Sequence, residues 1–562
     1  MVWYSRSLSY WREQGGAAFG SVPGCWFRIE SRDDLPSRSG YLLQPVRVEP
    51  KSHLLRVLDW SAVRSRGGPI LRSLSDRQLQ QRLRVSPETT VRDIVGHDFR
   101  FKDDMRTEEA TVEDLLSHKV AILPNNRLRF DNRLTRENLK DRLKFLDSPY
   151  GFRTVYIYSN LMYGLATRMT EIIANRKWED LVSSYIFQPL GMDSSTFSKY
   201  VNVDTDKVAT PVEQYLGQLQ NISQRLGPLF SELAGSGSIV STADDMAKWM
   251  NFHLSGGKAH DGKRVMSSAT IDALFKPRTA MTSPTLSLFR QPDGPLTMSH
   301  DVYCMGWRRG YYRGYPVIGH SGSTYGFRNL LTLIPALRIG VFTSMRGKDV
   351  DYAFRGTLHS FLLDHVLGVT PWVNATTFCS FPAPWHNVSA PKTEPSYDTG
   401  RPLTHNISAY VGSYENPAYG RVEVRVRERD EVGQEGKDGG EPLAPLTVFY
   451  GFATWDLIPL PPQNGQPAEG DTSSEPELFY GKGRNFTAWI DYSPFAFHPP
   501  PDGSDVIVKI SVPGLESRSP PVFWREGYST SGCYVTVSQS ALVLMTALVT
   551  SVFGSVQGWE QI

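Results

Sequence analysis

Two short stretches carry the side chains best suited to moving protons and gripping a polar substrate. One is Tyr156-Ile-Tyr158-Ser159-Asn160-Leu-Met-Tyr-Gly164-Leu, and the other is His320-Ser321-Gly322-Ser323-Thr324-Tyr325-Gly326. A phenol and an imidazole both serve as general acids and bases, and a carboxamide such as Asn160 donates and accepts hydrogen bonds at once. Plain structural readings stand beside these: Tyr158 as an aromatic at a helix entry, Asn160 as that helix's N-cap, His320 as a strand end. Neither stretch is specific alone in a chain with 25 Tyr and 12 His.

The elements that must position them can be read from the pattern around them. The Tyr158 turn runs straight into an apolar helix that ends near Ile172. The His320 stretch lies between strand-like runs, Gly314 to His320 before it and Phe327 to Ile334 after it. Gly340-Val-Phe-Thr-Ser344 completes this meander beyond a Pro335-Ala-Leu-Arg338 turn. Helices are expected at Thr135 to Leu146, after a Ser241 or Thr242 cap where Met246, Trp249 and Met250 share one face, and near Tyr352 to Leu367. Thr111 and Asp114 have capping-box spacing. Antiparallel strands flanked by helices define an α+β layer architecture.

In this order and setting the two stretches resemble the second and third motifs of the serine β-lactamase and penicillin-binding-protein superfamily, in its class C-like esterase and peptidase branch. Leu115-Leu-Ser-His118, Pro189-Leu-Gly-Met192, Gly235-Ser-Gly237 and Tyr325-Gly-Phe-Arg328 resemble further family pieces, so the likeness spans Thr89 to Leu367. It implies a β-lactamase/transpeptidase-like fold and hydrolysis of an ester or amide of a small molecule or peptide through an acyl-enzyme. Tyr158 would then shuttle the proton, and Asn160 would hold the catalytic lysine and the acyl-side amide. His320-Ser321-Gly322 would line the substrate with a strand edge, Gly322 leaving room for close approach, and the Ser323 N–H would serve the oxyanion hole.

The family's first motif, Ser-x-x-Lys, has no match in the region before Tyr158 where it belongs. Ser61-Ala-Val-Arg64 comes nearest, but arginine does not release its proton and cannot act as a base. Ser65-Arg-Gly-Gly-Pro69 comes next and would break the expected helix. Ser73 and Ser75, ahead of a helix-like run from Asp76 to Leu83, have no lysine one turn on. The expectation is that the nucleophile and a secretory signal lie on a segment absent from this chain. The alternatives are a secreted or surface-anchored non-catalytic protein that acts as a binding or matrix module, and a displaced serine.

Length and composition frame these readings. A chain of 562 residues with 40% hydrophobic content calls for two domains plus tails. The expected organisation is an atypical N-terminal segment (1–75), a β-lactamase-related domain (76–370), a strap (371–402), an all-β lipocalin-like domain (403–527) and an apolar tail (528–562). Strands in the all-β part are expected at Ala409 to Tyr414, Gly420 to Val426, Leu446 to Tyr450, Phe486 to Ile490 and Asp505 to Ser511. Sixty basic against 58 acidic residues leave a net charge of +2, which gives no electrostatic reason to expect nucleic acid as a partner. No motif for a metal, nucleotide or haem is present, so no cofactor is expected. Sequons at Asn221, Asn374, Asn387, Asn406 and Asn485 point to a glycosylated extracellular or cell-surface protein. The first residues lack the apolar core of a secretory signal. The uncharged run from Tyr534 to Gly558 suits a membrane span or a lipid-anchor signal, or else a buried segment. Of the four cysteines, Cys304 and Cys379 could pair, or all could be thiols.

Overall fold

The structure is a computed structural model. It describes residues 2–4, 85–206, 208–215, 218–222, 228–281, 298–347, 349, 353–374, 377, 402–427, 444–460, 476–484, 492–499 and 506–528. Ser61 to Ser75, Cys379, Asn387, Asn485, the expected strand at Phe486 to Ile490 and the tail from Tyr534 lie outside these residues. The described residues fall into two units, one within Met1–Ser396 and the other from Tyr397 onwards.

The first unit is built on a seven-stranded antiparallel sheet. Its strands are β1 (Val2–Tyr4), β2 (Thr279–Ala280), β3 (Val302–Tyr303), β4 (Arg308–Tyr312), β5 (Tyr315–Thr324), β6 (Phe327–Ile334) and β7 (Ile339–Arg346), in the order β1-β7-β6-β5-β4-β3-β2. The expected meander is β5, β6 and β7. Side chains on a strand alternate between faces, and β7 shows what each face meets. Ile339 and Val341 join Leu358, Phe361 and Leu363 in one buried cluster. Gly340, pointing the other way, has Met250 where its Cβ would be, 3.0 Å from Sδ. The sheet is therefore covered by helices on both faces.

Five helices matter for the site: α1 (Val112–Leu116), α2 (Arg136–Arg142), α3 (Asn160–Ala174), α4 (Ala243–Leu254) and α5 (Ala353–Leu367). Thr111 and Asp114 form the capping box that starts α1, and Thr242, rather than Ser241, caps α4 by accepting from Asp245 N–H. The run expected as one helix to Leu146 is shorter: α2 stops at Arg142 and the chain tightens into a 3-10 turn over Leu143–Phe145. A buried ion cluster fixes α2 against α3, with Arg136 Nη1 donating to Glu171 at 2.6 Å and the same guanidinium gripping Glu179. Nearly all of α3 is buried. Gly235 permits that packing, since a Cβ there would sit 2.4 Å from Thr167 Oγ1 of α3.

Cys304 is a free buried thiol whose Sγ donates to Phe275 O at 3.2 Å, the thiol alternative of the two left open, while Cys379 lies outside the described residues. Burial pushes that thiol up to about 12, which keeps it protonated and unreactive.

The second unit is a closed eight-stranded barrel: β8 (Gly412–Asn416), β9 (Gly420–Val426), β10 (Leu446–Tyr450), β11 (Ala453–Pro459), β12 (Glu477–Gly483), β13 (Tyr492–His498), β14 (Lys509–Ser511) and β15 (Val522–Arg525). Closure leaves no open sheet edge. Tyr414, Tyr450, Phe479, Phe497 and Phe523 are buried and fill it. Among the described residues no helix is long and apolar enough to cross a membrane.

Candidate active site

The two chemistry-bearing stretches meet. Ser159 has extended backbone and is the N-cap of α3, so Tyr158 stands just outside the helix and Asn160 is its first residue. Ser159 makes no side-chain capping bond, and Asn160 is not the cap. Its Nδ2 instead donates to Asn126 Oδ1 at 2.6 Å. On the sheet, His320 to Thr324 end β5 and pair with β6, Gly322 opposite Asn329 and Ser323 opposite Arg328. The rings of Tyr158 and His320 lie 6.4 Å apart.

Two residues that sequence reasoning did not name as site residues bring them together. Tyr303, fully buried on β3, places its Oη 3.1 Å from His320 Nε2. His320 Nδ1 lies 2.7 Å from Ser321 O. A carbonyl only accepts, so Nδ1 carries the proton and, in the neutral ring, Nε2 accepts from the Tyr303 hydroxyl.

His118 is the second. It comes just after α1, in the left-handed region with φ 59°, and is wholly buried. Its ring lies 4.4 Å from Tyr158, 4.8 Å from Tyr303, 5.1 Å from Tyr163 and 5.7 Å from Tyr156. Its backbone carbonyl accepts from Ile157 N–H at 3.2 Å, and its Nδ1 accepts from Ser159 N–H at 3.2 Å. An acceptor Nδ1 leaves the proton of the neutral ring on Nε2. The Leu115-Leu-Ser-His118 run is visible in the sequence, yet nothing local announces that its last side chain meets a turn further along the chain.

The strand bearing Gly322 and Ser323 is held from behind. Arg355 of α5, with no exposed surface, donates from Nη1 to Gly322 O at 3.1 Å and to Asn329 O at 2.6 Å, and from Nε to Asp349 Oδ2 at 2.6 Å. His359, one turn on, lies 2.8 Å from both Thr332 Oγ1 and Thr343 Oγ1, and desolvation lowers its pKa to about 3. Arg308 of β4 donates to Ser321 Oγ at 3.3 Å. The tip of the β5–β6 turn is fixed by Glu213, which accepts from Gly326 N–H and from Arg328 Nη2, both at 2.7 Å. Gly326 has φ 78°, and a Cβ there would stand 2.4 Å from Pro211 Cβ.

Taken together, a phenol, two imidazoles and a carboxamide converge with a braced strand end. Such a set can hold and pass a proton beside an extended polar ligand.

Comparison with known proteins agrees with the fold. The profile of the Beta-lactamase family matches residues 77–361. The chain is 27% identical over 363 residues to the unguisins hydrolase ungD of Aspergillus violaceofuscus, a match covering 60% of this chain and 62% of that one. It is 26% identical over 267 residues to penicillin-binding protein 4 of Amycolatopsis lactamdurans, covering 47% and 60%. The chain thus spans less than two thirds of the length of either relative. The octameric penicillin-binding protein homologue from Pyrococcus abyssi superposes with a TM-score of 0.45 at 16% identity, over 85% of this chain and 88% of that one. With half of its residues matched by that profile, this chain belongs to the Beta-lactamase family.

Proposed function

We propose that the chain is a β-lactamase-related serine hydrolase of small ester or amide substrates that works through an acyl-enzyme. In this reading a serine oxygen attacks the acyl carbonyl and its proton passes to Tyr158. The tetrahedral intermediate then expels the leaving group, which takes that proton, and water repeats the sequence on the ester. Asn160 orients the acyl side, the His320-Ser321-Gly322 strand aligns the substrate, and the Ser323 N–H steadies the oxyanion. The observation that supports this most is the approach of Tyr158 to His320, 6.4 Å between rings, with Tyr303 hydrogen-bonded to the imidazole. Kinship with a named hydrolase agrees with it.

A second reading, a non-catalytic binding protein, is favoured by one fact: the nearest approach to Ser-x-x-Lys in the region where it belongs, roughly 80 to 100 residues before Tyr158, is Ser61-Ala-Val-Arg64. A fluorophosphonate probe applied to protein from its natural source, with peptide mapping of any adduct, separates the two. An adduct on a Ser-x-x-Lys peptide outside this sequence establishes the hydrolase in a longer form, and one on Ser61 to Ser75 identifies a displaced nucleophile. Folded protein without an adduct leaves the binding module. We read the protein as extracellular and glycosylated, because Asn221, Asn374 and Asn406 are exposed. A glycosidase that removes N-linked sugars should lower its apparent mass, and an unchanged mass refutes that reading.

A further inference from the structure

The turn between α1 and α2 carries a buried charge that forms no ion pair among the described residues. It is a 3-10 turn over Asn126–Phe130, entered through Asn125 with φ 44°, and it bridges the two motifs. Asn126 accepts from Asn160, and Arg127 Nη1 donates to Tyr325 Oη at 3.2 Å, just past the His320 strand. Arg129 lies between these contacts and is only 7% exposed. Its Nε donates to Asn126 O at 3.0 Å, and its guanidinium lies 5.2 Å over the ring of Phe230. Phe230 in turn lies 6.1 Å from Tyr325.

No carboxylate forms an ion pair with Arg129 among the described residues. Other arginines of this unit as deeply buried are neutralised, Arg136 by Glu171 and Glu179 and Arg355 by Asp349. Burying a charge without an opposite one is costly, and burial accordingly pulls the Arg129 pKa down, partly offset by Tyr325 and reinforced by repulsion from neighbouring Arg127. A buried cation in that position is one that an anion arriving with a ligand would complete. The planar fork of arginine suits a carboxylate.

We propose that Arg129, with Arg127 beside it, forms a subsite for a carboxylate on the acyl portion of the substrate. The assignment to the acyl side rests on the hydrolase reading, through the role given to Asn160. Anion capture itself is measurable without turnover.

The test is calorimetric titration of the full chain with glutaranilic acid and with its neutral methyl ester, beside fluorophosphonate labelling of protein from its natural source. The acid is expected to bind at least tenfold more tightly than the ester. That preference should vanish in Arg129→Gln and be partly kept in Arg129→Lys, with circular dichroism confirming that each is folded. Equal binding of acid and ester by the unmutated chain, binding of neither, or a preference that survives Arg129→Gln would overturn the proposal. Absence of labelling with the preference intact would remove the hydrolase reading and leave the anion subsite standing.

Discussion

The backbone N–H of Ser159 donates to Nδ1 of His118 at 3.2 Å, so the residue between Tyr158 and Asn160 is held by a side chain that lies beyond a different helix. The same histidine lays its ring against Tyr158 at 4.4 Å. Position and hydrogen-bond register of the motif thus depend on one buried imidazole.

His118→Phe keeps an aromatic ring in the box but strands the Ser159 N–H. A buried donor left without a partner costs about 1–3 kcal/mol, which thermal or urea denaturation should register. Loss of Tyr158 alignment should also slow fluorophosphonate labelling at least tenfold where labelling occurs. His118→Asn tolerates the left-handed backbone and offers an acceptor near the Nδ1 position, so it should retain more stability than the Phe variant. Equal stability of His118→Phe and the parent would remove His118 from this role.

Arg355 and Asp349 are mutually dependent. Asp349 also accepts from Phe354 N–H at 2.9 Å, so it anchors the start of α5 as well as the guanidinium. Arg355→Met removes the donor from Gly322 O and Asn329 O and leaves the Asp349 carboxylate buried without its cation, a loss of about 3–5 kcal/mol. Adding Asp349→Asn removes the stranded charge and should recover part of that loss. Urea denaturation of the four proteins of this double-mutant cycle gives the coupling directly, and a coupling near zero would mean the pair does not act as a unit.

These dependencies mark where local sequence pattern ceases to inform. The onset of α3 beside Tyr158, the β5–β6–β7 meander and the capping box at Thr111 are legible because each is written in local pattern: apolar periodicity, turn residues, a cap three positions from its partner. His118, Tyr303 and Arg355 act on residues distant in sequence, and an Arg inside a helix normally reads as solvated. In the barrel, β11, β12, β13 and β15 have no counterpart among the expected strands. Pro459, Gly481 with Gly483, and Pro494 interrupt the runs that would signal the first three, while closure of the barrel supplies the partners that override local propensity.

Tyr303→Phe tests the link between β3 and the third motif. The ring remains against His118, so the core should lose no more than about 1.5 kcal/mol, but His320 loses a hydrogen bond at Nε2 that favours the neutral, Nδ1-protonated ring. Labelling should therefore slow, and its pH profile should shift relative to the parent. Unchanged rate and profile would show that Tyr303 is packing alone.

His253 of α4 is one of three buried histidines, with His300 and His359, that bear on the acid stability of the first unit. Its ring is buried among Trp249 at 4.4 Å, Trp307 at 4.8 Å, Phe252 at 5.1 Å and Phe275 at 5.7 Å, and among the described residues neither ring nitrogen has a hydrogen-bond partner. Desolvation lowers its pKa from 6.5 to about 3. In the unfolded chain the ring titrates at its ordinary value, so below about pH 6.5 the unfolded state binds a proton that the folded state refuses. The neutral histidine's contribution is therefore whole above pH 6.5 and drains away as pH falls towards 3, by up to about 1.4 kcal/mol per unit. His253→Phe removes the titration and suits the aromatic cage. Between pH 6.5 and 5.0 the parent should lose about 2 kcal/mol more than this variant in urea denaturation. Parallel pH slopes would show that His253 reaches a proton acceptor or solvent in the folded protein, and that the acid limit is set elsewhere.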